Sequence, residues 1–203
     1  MKIIARKKEI GELERLYTSN RSEFIIVYGR RRIGKTFLIN NLFGDRFTFS
    51  FVGTRNQPPK VQLKRFANQL KEASGSIFAP ILNSWEDAFN ELRQLIDSKP
   101  RDERKIIFFD EMPWIDTPRS SFIDALEYFW NAWAAQRNDI MFIACGSATS
   151  WMVNKLIKSG TATVEVLDTT SVWFGVTYAA DRQATVDRIA QLVADGVYPN
   201  KLF

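Results

Sequence analysis

The order of apolar and polar residues predicts a chain of alternating helices and strands. Apolar residues recur at helical spacing before residue 18, and the β-branched and aromatic run Phe24 to Tyr28 then predicts a strand. Lys35 to Phe43 predicts a helix that ends at Gly44, and Phe47 to Val52 alternates like a second strand. The N-terminal part of the chain therefore predicts helix, strand, helix, strand.

Two amphipathic helices are expected next. Pro58 and Pro59 open the first, because proline is favoured at the start of a helix. Its apolar positions recur at i, i+3, i+4 and i+7, and they are Leu63, Phe66, Ala67 and Leu70. Ser84 begins the second helix, with Asp87 three positions on as a variant of the capping box. Both patterns predict a helix face that is buried in a core.

Two continuous apolar runs, Lys105 to Phe109 and Ile140 to Ala144, predict strands that are buried on both faces. The helix predicted between them has an apolar side formed by Phe122, Ala125, Leu126, Phe129, Trp130 and Trp133. Strands that alternate with helices indicate an α/β domain of three layers with a mainly parallel sheet. Ligands of such a sheet bind at the carboxyl ends of its strands.

Composition narrows the chemistry. The chain has 203 residues, 45% of them apolar, which suffices for one ordinary domain or one domain with a small appendage. Cys145 is the single cysteine and there is no histidine, which excludes disulfides, zinc sites and a histidine base. The apolar runs are too short for a bilayer and the N-terminus lacks a signal-peptide core, so a cytoplasmic protein without membrane contact is predicted.

The formal net charge of +5 raises the question of a nucleic-acid partner. Such a partner needs a basic patch, but the lysines and arginines are scattered along the chain. The densest group, Arg30 to Arg32, lies inside a glycine-flanked loop. Nucleic-acid contact therefore stays an open hypothesis without a patch to support it. The alternative is that these basic residues, Lys105 among them, lie on a solvated surface.

That glycine-flanked loop, Gly29 to Thr36, matches the phosphate-loop pattern G-x-x-x-x-G-K-T between a strand and a helix. The residues predicted to cradle the phosphates of ATP are Gly29, Arg30, Arg31, Arg32, Ile33, Gly34, Lys35 and Thr36. Lys35 would bridge the β- and γ-phosphates, and the hydroxyl of Thr36 would ligate Mg²⁺. An ordinary glycine turn is the alternative interpretation.

Acidic and hydroxyl residues follow the two buried strands. Asp110 would hold Mg²⁺, directly or through water, and Glu111 would polarise the attacking water, although strand ends also carry acidic residues as caps. Ser147 would contact the γ-phosphate, with a helix N-cap as its alternative role. The predicted catalytic residues are thus Glu111, Lys35 and Ser147, and the predicted metal ligands are Thr36 and Asp110. Cys145 is interpreted as buried packing.

Several segments together resemble the archaeal-type ATPase family, which belongs to the AAA+/STAND group of P-loop ATP-binding proteins. They are Arg6 and Glu9, residues 28–36, 51–56, 110–114, 129–131 and 145–151, and the resemblance covers residues 1–159. It implies a five-stranded P-loop NTPase core followed by a helical lid. It also implies that Ile3, Ile4 and Arg6 lie beside the adenine.

The chain changes character after Thr161. Strands are predicted at residues 163–167 and 172–178, followed by an amphipathic helix with Val186, Ile189, Ala190 and Val193 on its apolar face. The segment at about 163–203 resembles the C-terminal tail of bacterial sugar-phosphate nucleotidyltransferases. An ATPase core at 1–160 and a short α/β appendage of different origin at 161–203, without an active site of its own, are therefore predicted.

These observations predict an ATP-binding protein that hydrolyses ATP with Mg²⁺. No lid and no arginine for the γ-phosphate are recognisable, so slow hydrolysis is expected. The alternative is a nucleotide-dependent switch or interaction protein that acts through a homo-oligomer or a protein partner. Trp114, Trp130 and Trp133 could form a partner surface, although an aromatic stripe at helical spacing is more often core.

Overall fold

A parallel sheet forms the centre of the protein. The computed structural model describes residues 6–147, 149–157 and 180–198. Within these residues the sheet has four strands in the order β1-β4-β3-β2, all parallel. The strands are β1 (Glu23–Tyr28), β2 (Phe47–Val52), β3 (Lys105–Asp110) and β4 (Ile140–Gly146). The fold is that of an α/β protein, as predicted, and the predicted strands at 163–167 and 172–178 lie outside the described residues.

The helices connect the strands in the predicted alternation. Before and after β1 lie α1 (Lys7–Tyr17) and α2 (Lys35–Phe43), and β2 is followed by α3 (Pro59–Ser74) and α4 (Trp85–Asp97). After β3 and β4 come α5 (Phe122–Ala132), α6 (Thr149–Met152) with a π-helical turn Val153–Ile157, and α7 (Asp181–Ala194). Among the described residues, none of these helices is long and apolar enough to cross a membrane.

Two compact units divide the chain. One is Arg15–Glu165, which contains the sheet. The other combines Met1–Glu14 with Val166–Phe203 and contains α7, which confirms the helix predicted there. In α7, Val186 and Ile189 are nevertheless exposed. The domain boundary near residue 160 stays a prediction.

Strand pairing brings the carboxyl ends of β1, β3 and β4 to one edge of the sheet. Tyr28 at the end of β1 pairs with Gly146 at the end of β4, and Phe109 of β3 pairs with Ala144 of β4. Since all strands are parallel, the loops that follow them open at this same edge. β4 extends two residues beyond the predicted end at Ala144, so Cys145 and Gly146 are strand residues.

An aromatic core fixes α3 and α4 on the sheet. Phe66 of α3 is fully buried and packs against Phe49 of β2, Trp85 of α4 and Phe109 of β3, at centroid distances of 4.8, 5.5 and 5.9 Å. Aromatic pairs at these distances stabilise the fold beyond their buried area. The predicted inner face of α3 is confirmed as buried, and every residue of β3 and β4 is buried, as the continuous apolar runs predicted.

The capping box of α4 and the aromatic stripe of α5 are two local features predicted from the sequence. The capping box of α4 is confirmed, because the Ser84 hydroxyl accepts from the Asp87 backbone N–H at 3.0 Å and the Asp87 carboxylate accepts from the Ser84 N–H at 3.1 Å. Trp130 is 6% exposed, which confirms the core interpretation for this member of the aromatic stripe. Trp133 follows the last residue of α5 and is half-buried.

A buried ion cluster lies at the amino ends of β3 and β4, away from the loops. Lys105 is 1% exposed, which agrees with the predicted buried strand and contradicts the solvated-surface alternative for this residue; its Nζ lies 3.1 Å from Asp139 Oδ2. Arg137 donates to both oxygens of Asp139, at 2.7 and 2.6 Å. Burial raises the pKa of Asp139, but the hydrogen bonds from Arg137 and Lys105 outweigh it and lower that pKa to about 2.

Replacing the shared carboxylate should destabilise the fold. We expect Asp139→Asn to lower the free energy of unfolding at pH 7 by about 3 kcal/mol, because it leaves the buried charge of Lys105 without its partner. Chemical denaturation followed by circular dichroism measures this loss. The carboxylate stabilises fully above its unfolded-state pKa of about 3.9, so the difference from wild type should shrink as the pH falls from about 4 to about 2.

Asp102→Asn is the matched control, because Asp102 is exposed. This variant should change the unfolding free energy by less than about 0.5 kcal/mol. An equally small change for Asp139→Asn, or a difference that stays constant between pH 4 and pH 2, would contradict the stabilising role of the cluster.

Candidate active site

The loop from Gly29 to Thr36 joins β1 to α2 and has the form of an anion cradle. Gly34 adopts φ 80° immediately before α2, and a Cβ built there would meet no atom within 4 Å. Glycine reaches this left-handed conformation without strain. No side chain caps the start of α2, and its first turn contains no acidic residue. This arrangement suits an anion at a helix N-terminus.

Lys35 lies across this loop. The residue is 9% exposed, and its Nζ donates to the carbonyl oxygens of Gly29 at 2.9 Å and Arg30 at 2.8 Å. The ammonium group is therefore held inside the loop by neutral acceptors, without a carboxylate partner among these bonds. A phosphate oxygen would be a stronger acceptor for this group than either carbonyl.

Thr36 and Asp110 meet although 74 positions separate them in the chain. The Thr36 hydroxyl donates to Asp110 Oδ2 at 2.8 Å, and the backbone N–H of Glu111 donates to Asp110 Oδ1 at 2.9 Å. Asp110 is 6% exposed, and both oxygens of its carboxylate are thus held in place by hydrogen bonds. Hydroxyl and carboxylate oxygens are ligands that Mg²⁺ accepts in proteins.

Cys145 lies buried beside this carboxylate. Burial raises the pKa of its thiol above the usual range, and the charge of Asp110 and a hydrogen bond to it raise that pKa further. The thiol is therefore protonated at neutral pH. This state agrees with the interpretation of Cys145 as packing rather than as a nucleophile.

Ser147 connects the loop to Glu111. Its hydroxyl donates to Glu111 Oε2 at 3.3 Å and accepts from Arg31 Nε at 3.2 Å. The Arg31 guanidinium also lies over the Trp114 ring, 5.1 Å from the ring centroid. The structure thus brings the three predicted catalytic side chains to one edge of the sheet, with Ser147 bonded to Glu111. Arg31 of the loop bonds to Ser147 and, through that hydroxyl, is linked to Glu111, a placement that spacing did not predict.

The backbone of Glu111 is held in an unusual conformation. Glu111 has φ 47° and ψ 42°, a left-handed region that costs a non-glycine residue about 1–3 kcal/mol. Gly53, directly after β2, packs against it and donates its N–H to the Asp110 carbonyl at 2.9 Å. A Cβ at Gly53 would lie 2.4 Å from the Glu111 carbonyl oxygen. The close approach of these two backbones therefore requires glycine.

The roles of two residues of this surrounding structure, Gly53 and Gln62, are not predicted by the sequence. Gly53 directly follows the predicted strand Phe47 to Val52, and Gln62 lies beside the apolar face of α3, where a polar residue carries no periodic signal. The predicted adenine contacts are Ile3, Ile4 and Arg6. Ile4 lies outside the described residues, and Arg6 directly precedes α1 in the other compact unit. Their role stays a prediction.

Comparison with known proteins identifies the family. A family model described as an ATPase domain predominantly from Archaea matches residues 3–174. The chain belongs to this family. The match includes the loop Gly29 to Thr36, the pair Asp110 and Glu111, and Ser147, and it extends past residue 160.

Individual relatives support the same assignment. An uncharacterised protein of Methanocaldococcus jannaschii is 31% identical over 110 residues, 54% of this chain and 22% of that protein. An uncharacterised ATP-binding protein of the same organism is 44% identical over 43 residues, 21% of this chain and 73% of that protein. The first of these relatives is thus several times longer than the part that this chain matches.

A solved structure supports the fold. The Walker-type ATPase of Pyrococcus abyssi aligns with a TM-score of 0.53 and 19% identity, over 76% of this chain and 48% of that chain. At this identity the likeness shows the fold, which is that of a P-loop NTPase. The chain spans about half the length of this solved relative.

Adding a methyl group at Gly53 should disturb the turn that carries Glu111. We expect Gly53→Ala to destabilise the protein by about 1–3 kcal/mol, because the new Cβ would overlap the Glu111 carbonyl oxygen and lie 2.8 Å from Ile115 Cγ1. Thermal unfolding measures the loss. Gly44→Ala is the control, because Gly44 has helical φ and the nearest atom to a Cβ there lies at 3.9 Å. Equal melting temperatures for the two variants would contradict the close packing.

Proposed function

We propose that this chain binds MgATP at the loop Gly29 to Thr36 and hydrolyses it. The observation that carries the proposal is the hydrogen bond of 2.8 Å between the Thr36 hydroxyl and the Asp110 carboxylate, with the ammonium of Lys35 held inside the same loop. A hydroxyl, a carboxylate and an ammonium group at the N-terminus of a helix form the donor set that a metal-bound triphosphate requires. The family and the ATP-binding relative support the same nucleotide.

The residues present fit Mg²⁺ when phosphate oxygens complete its shell. Among the described residues, no group of three or more His, Cys, Asp or Glu side chains could hold a metal ion. Mg²⁺ is commonly held by one or two protein oxygens together with substrate phosphates and water. Thr36 and Asp110 would hold the ion in this way. When bound, it would neutralise charge on the β- and γ-phosphate oxygens.

Each remaining polar group has a distinct task in this proposal. The N–H groups of the loop and of the first turn of α2 bind the phosphates, and Lys35 exchanges the carbonyls of Gly29 and Arg30 for phosphate oxygens. Glu111 accepts a hydrogen bond from the attacking water and orients it. Ser147, between Glu111 and the loop, donates to the γ-phosphate or holds Glu111 in place. Hydrolysis breaks the bond between the γ-phosphorus and the β,γ-bridging oxygen, and ADP leaves with the electron pair of that bond. The attacking water supplies the new oxygen, and one of its protons passes to the Glu111 carboxylate.

Nucleotide binding should depend on Lys35. At a MgATP concentration of about 100 times the dissociation constant, the wild type should gain about 2.7 kcal/mol of stability, a rise in melting temperature of about 5–10 °C. Lys35→Ala should lose most of this rise, because the γ-phosphate loses its buried cationic partner. A thermal-shift titration with MgATP, and with ATP plus a chelator, measures the effect.

Lys64→Ala is the control for binding, because Lys64 is an exposed lysine on α3. It should keep the full rise in melting temperature. An equal rise in the wild type and in Lys35→Ala would contradict binding at this loop.

Hydrolysis should depend on Glu111. We expect Glu111→Gln to lower the turnover number by about 10²- to 10⁴-fold with little change in MgATP affinity, because the amide keeps the shape of the side chain but is a poor acceptor of a proton. Steady-state phosphate release measures the rate. Glu103→Gln, at an exposed carboxylate, should keep the wild-type rate.

The same measurement separates hydrolysis from the alternative of a nucleotide-dependent switch. Phosphate release at the background rate by both the wild type and Glu111→Gln, together with a thermal shift that Lys35→Ala abolishes, would contradict hydrolysis and favour the switch. In that case the bonds of Ser147 to Glu111 and Arg31 would link nucleotide occupancy to the conformation of the loops.

A further inference from the structure

We propose that Gln62 is a positioning residue for hydrolysis, which holds the turn that carries Glu111 from within α3. The inference rests on the proposed function, since it concerns the residue that orients water there. It assigns a role to a side chain that belongs neither to the phosphate loop nor to the strand ends. Gln62 does not contact the reacting atoms and acts through the backbone of the turn.

The Gln62 amide joins two loops that are distant in sequence. The residue is 0% exposed. Its Oε1 accepts from the Thr54 backbone N–H at 3.2 Å, while its Nε2 donates to the carbonyl oxygens of Thr54 at 3.0 Å and Trp114 at 2.7 Å. Both N–H groups and the oxygen of the amide are thus used. The orientation is determined, because the Thr54 N–H needs an acceptor and the two carbonyls need donors.

This amide reaches Glu111 through a single 3-10 turn. The turn spans Met112–Trp114, and the Trp114 N–H donates to the Glu111 carbonyl at 2.9 Å. One peptide group of Trp114 therefore lies next to Glu111, and the other is bound by Gln62. Since the left-handed conformation of Glu111 is intrinsically unfavourable, it persists only where its surroundings hold it.

The end of β2 completes the same frame. Gln62 binds both backbone groups of Thr54, and the preceding residue, Gly53, packs against the Glu111 carbonyl and donates to the Asp110 carbonyl. Gln62 thereby fixes the segment on which the Glu111 backbone rests as well as the turn that follows Glu111. An apolar side chain of similar size would fill the space but would leave these two carbonyls and one N–H without a partner.

The geometry predicts a kinetic effect that is separate from stability. The N–H groups and the ammonium proposed to bind the phosphates come from the loop between β1 and α2 and the first turn of α2, whereas the turn that carries Glu111 follows β3. Loss of the amide should therefore affect turnover more than MgATP binding. A misplacement of about 1 Å at a reacting group costs about 10²-fold in rate, and loss of a supporting hydrogen bond about 10- to 100-fold.

The experiment compares Gln62→Met and Gln62→Glu with Gln69→Met, all in the full chain. Met removes the hydrogen bonds at similar volume, and Glu keeps the shape but places an oxygen against the carbonyls of Thr54 and Trp114. Gln69 is the matched control, because it lies two turns further along α3 and donates to Glu72 at the surface. Phosphate release, MgATP dissociation constants and melting temperatures are measured for each, at a temperature where circular dichroism shows the variant folded.

We expect both Gln62 variants to lower kcat by about 10- to 100-fold with a dissociation constant within about twofold of wild type, and Gln69→Met to leave both values unchanged. In a Glu111→Gln background, Gln62→Met should lower the residual rate by less than about twofold, because the residue through which it acts is already inactive. General structural damage would lower the rate equally in both backgrounds.

Three outcomes would overturn the inference: a folded Gln62 variant with wild-type kcat, a change confined to the dissociation constant or the melting temperature, or equal losses in both backgrounds. Failure of the proposed function has a different signature. In that case the wild type would release no more phosphate than Lys35→Ala, before any Gln62 variant is compared.

Discussion

The backbone hydrogen bonds that place β4 between β1 and β3 are the constraint on which the candidate site depends. They pair Tyr28 with Gly146 and Phe109 with Ala144, so the loop after β1 and the carboxylates after β3 flank the end of β4. Ser147 follows β4 directly and bonds to groups on both sides. With another strand order, the Thr36 hydroxyl and the Asp110 carboxylate would not meet at 2.8 Å.

The aromatic core gives this polar edge a rigid support. Phe66 packs α3 onto β2 and β3. One turn earlier on the same helix, the Gln62 amide bonds to the segments that follow those two strands. Close packing of large side chains transmits small displacements, because protein interiors have few voids into which atoms can move. The position of Glu111 thus depends on how α3 packs on the sheet, although α3 contributes none of the predicted nucleotide contacts.

The polar groups of the site bind one another in the structure. Lys35 is bound by carbonyl oxygens of its own loop, and Asp110 by a hydroxyl and a backbone N–H. Such pairing satisfies groups that would be costly to bury alone. A nucleotide would therefore have to replace existing hydrogen bonds, and its phosphates can do so because their negative charge binds more strongly than a neutral carbonyl. The phosphate loop and the first turn of α2 favour this negative charge, because they lie at a helix N-terminus and that turn contains no acidic residue.

The sequence by itself determined the local elements and the chemical groups of the site. The phosphate-loop pattern, the continuous apolar strands and the Ser84 capping box are local signals, because each depends on residues a few positions apart. What only the tertiary structure decided is which of these groups meet. The left-handed turn at Glu111, the glycine that it requires at position 53 and the amide of Gln62 depend on contacts between segments about 50 residues apart. Burial of Lys105 with Asp139 is decided in the same way, since the polarity of a side chain does not specify its distant partner.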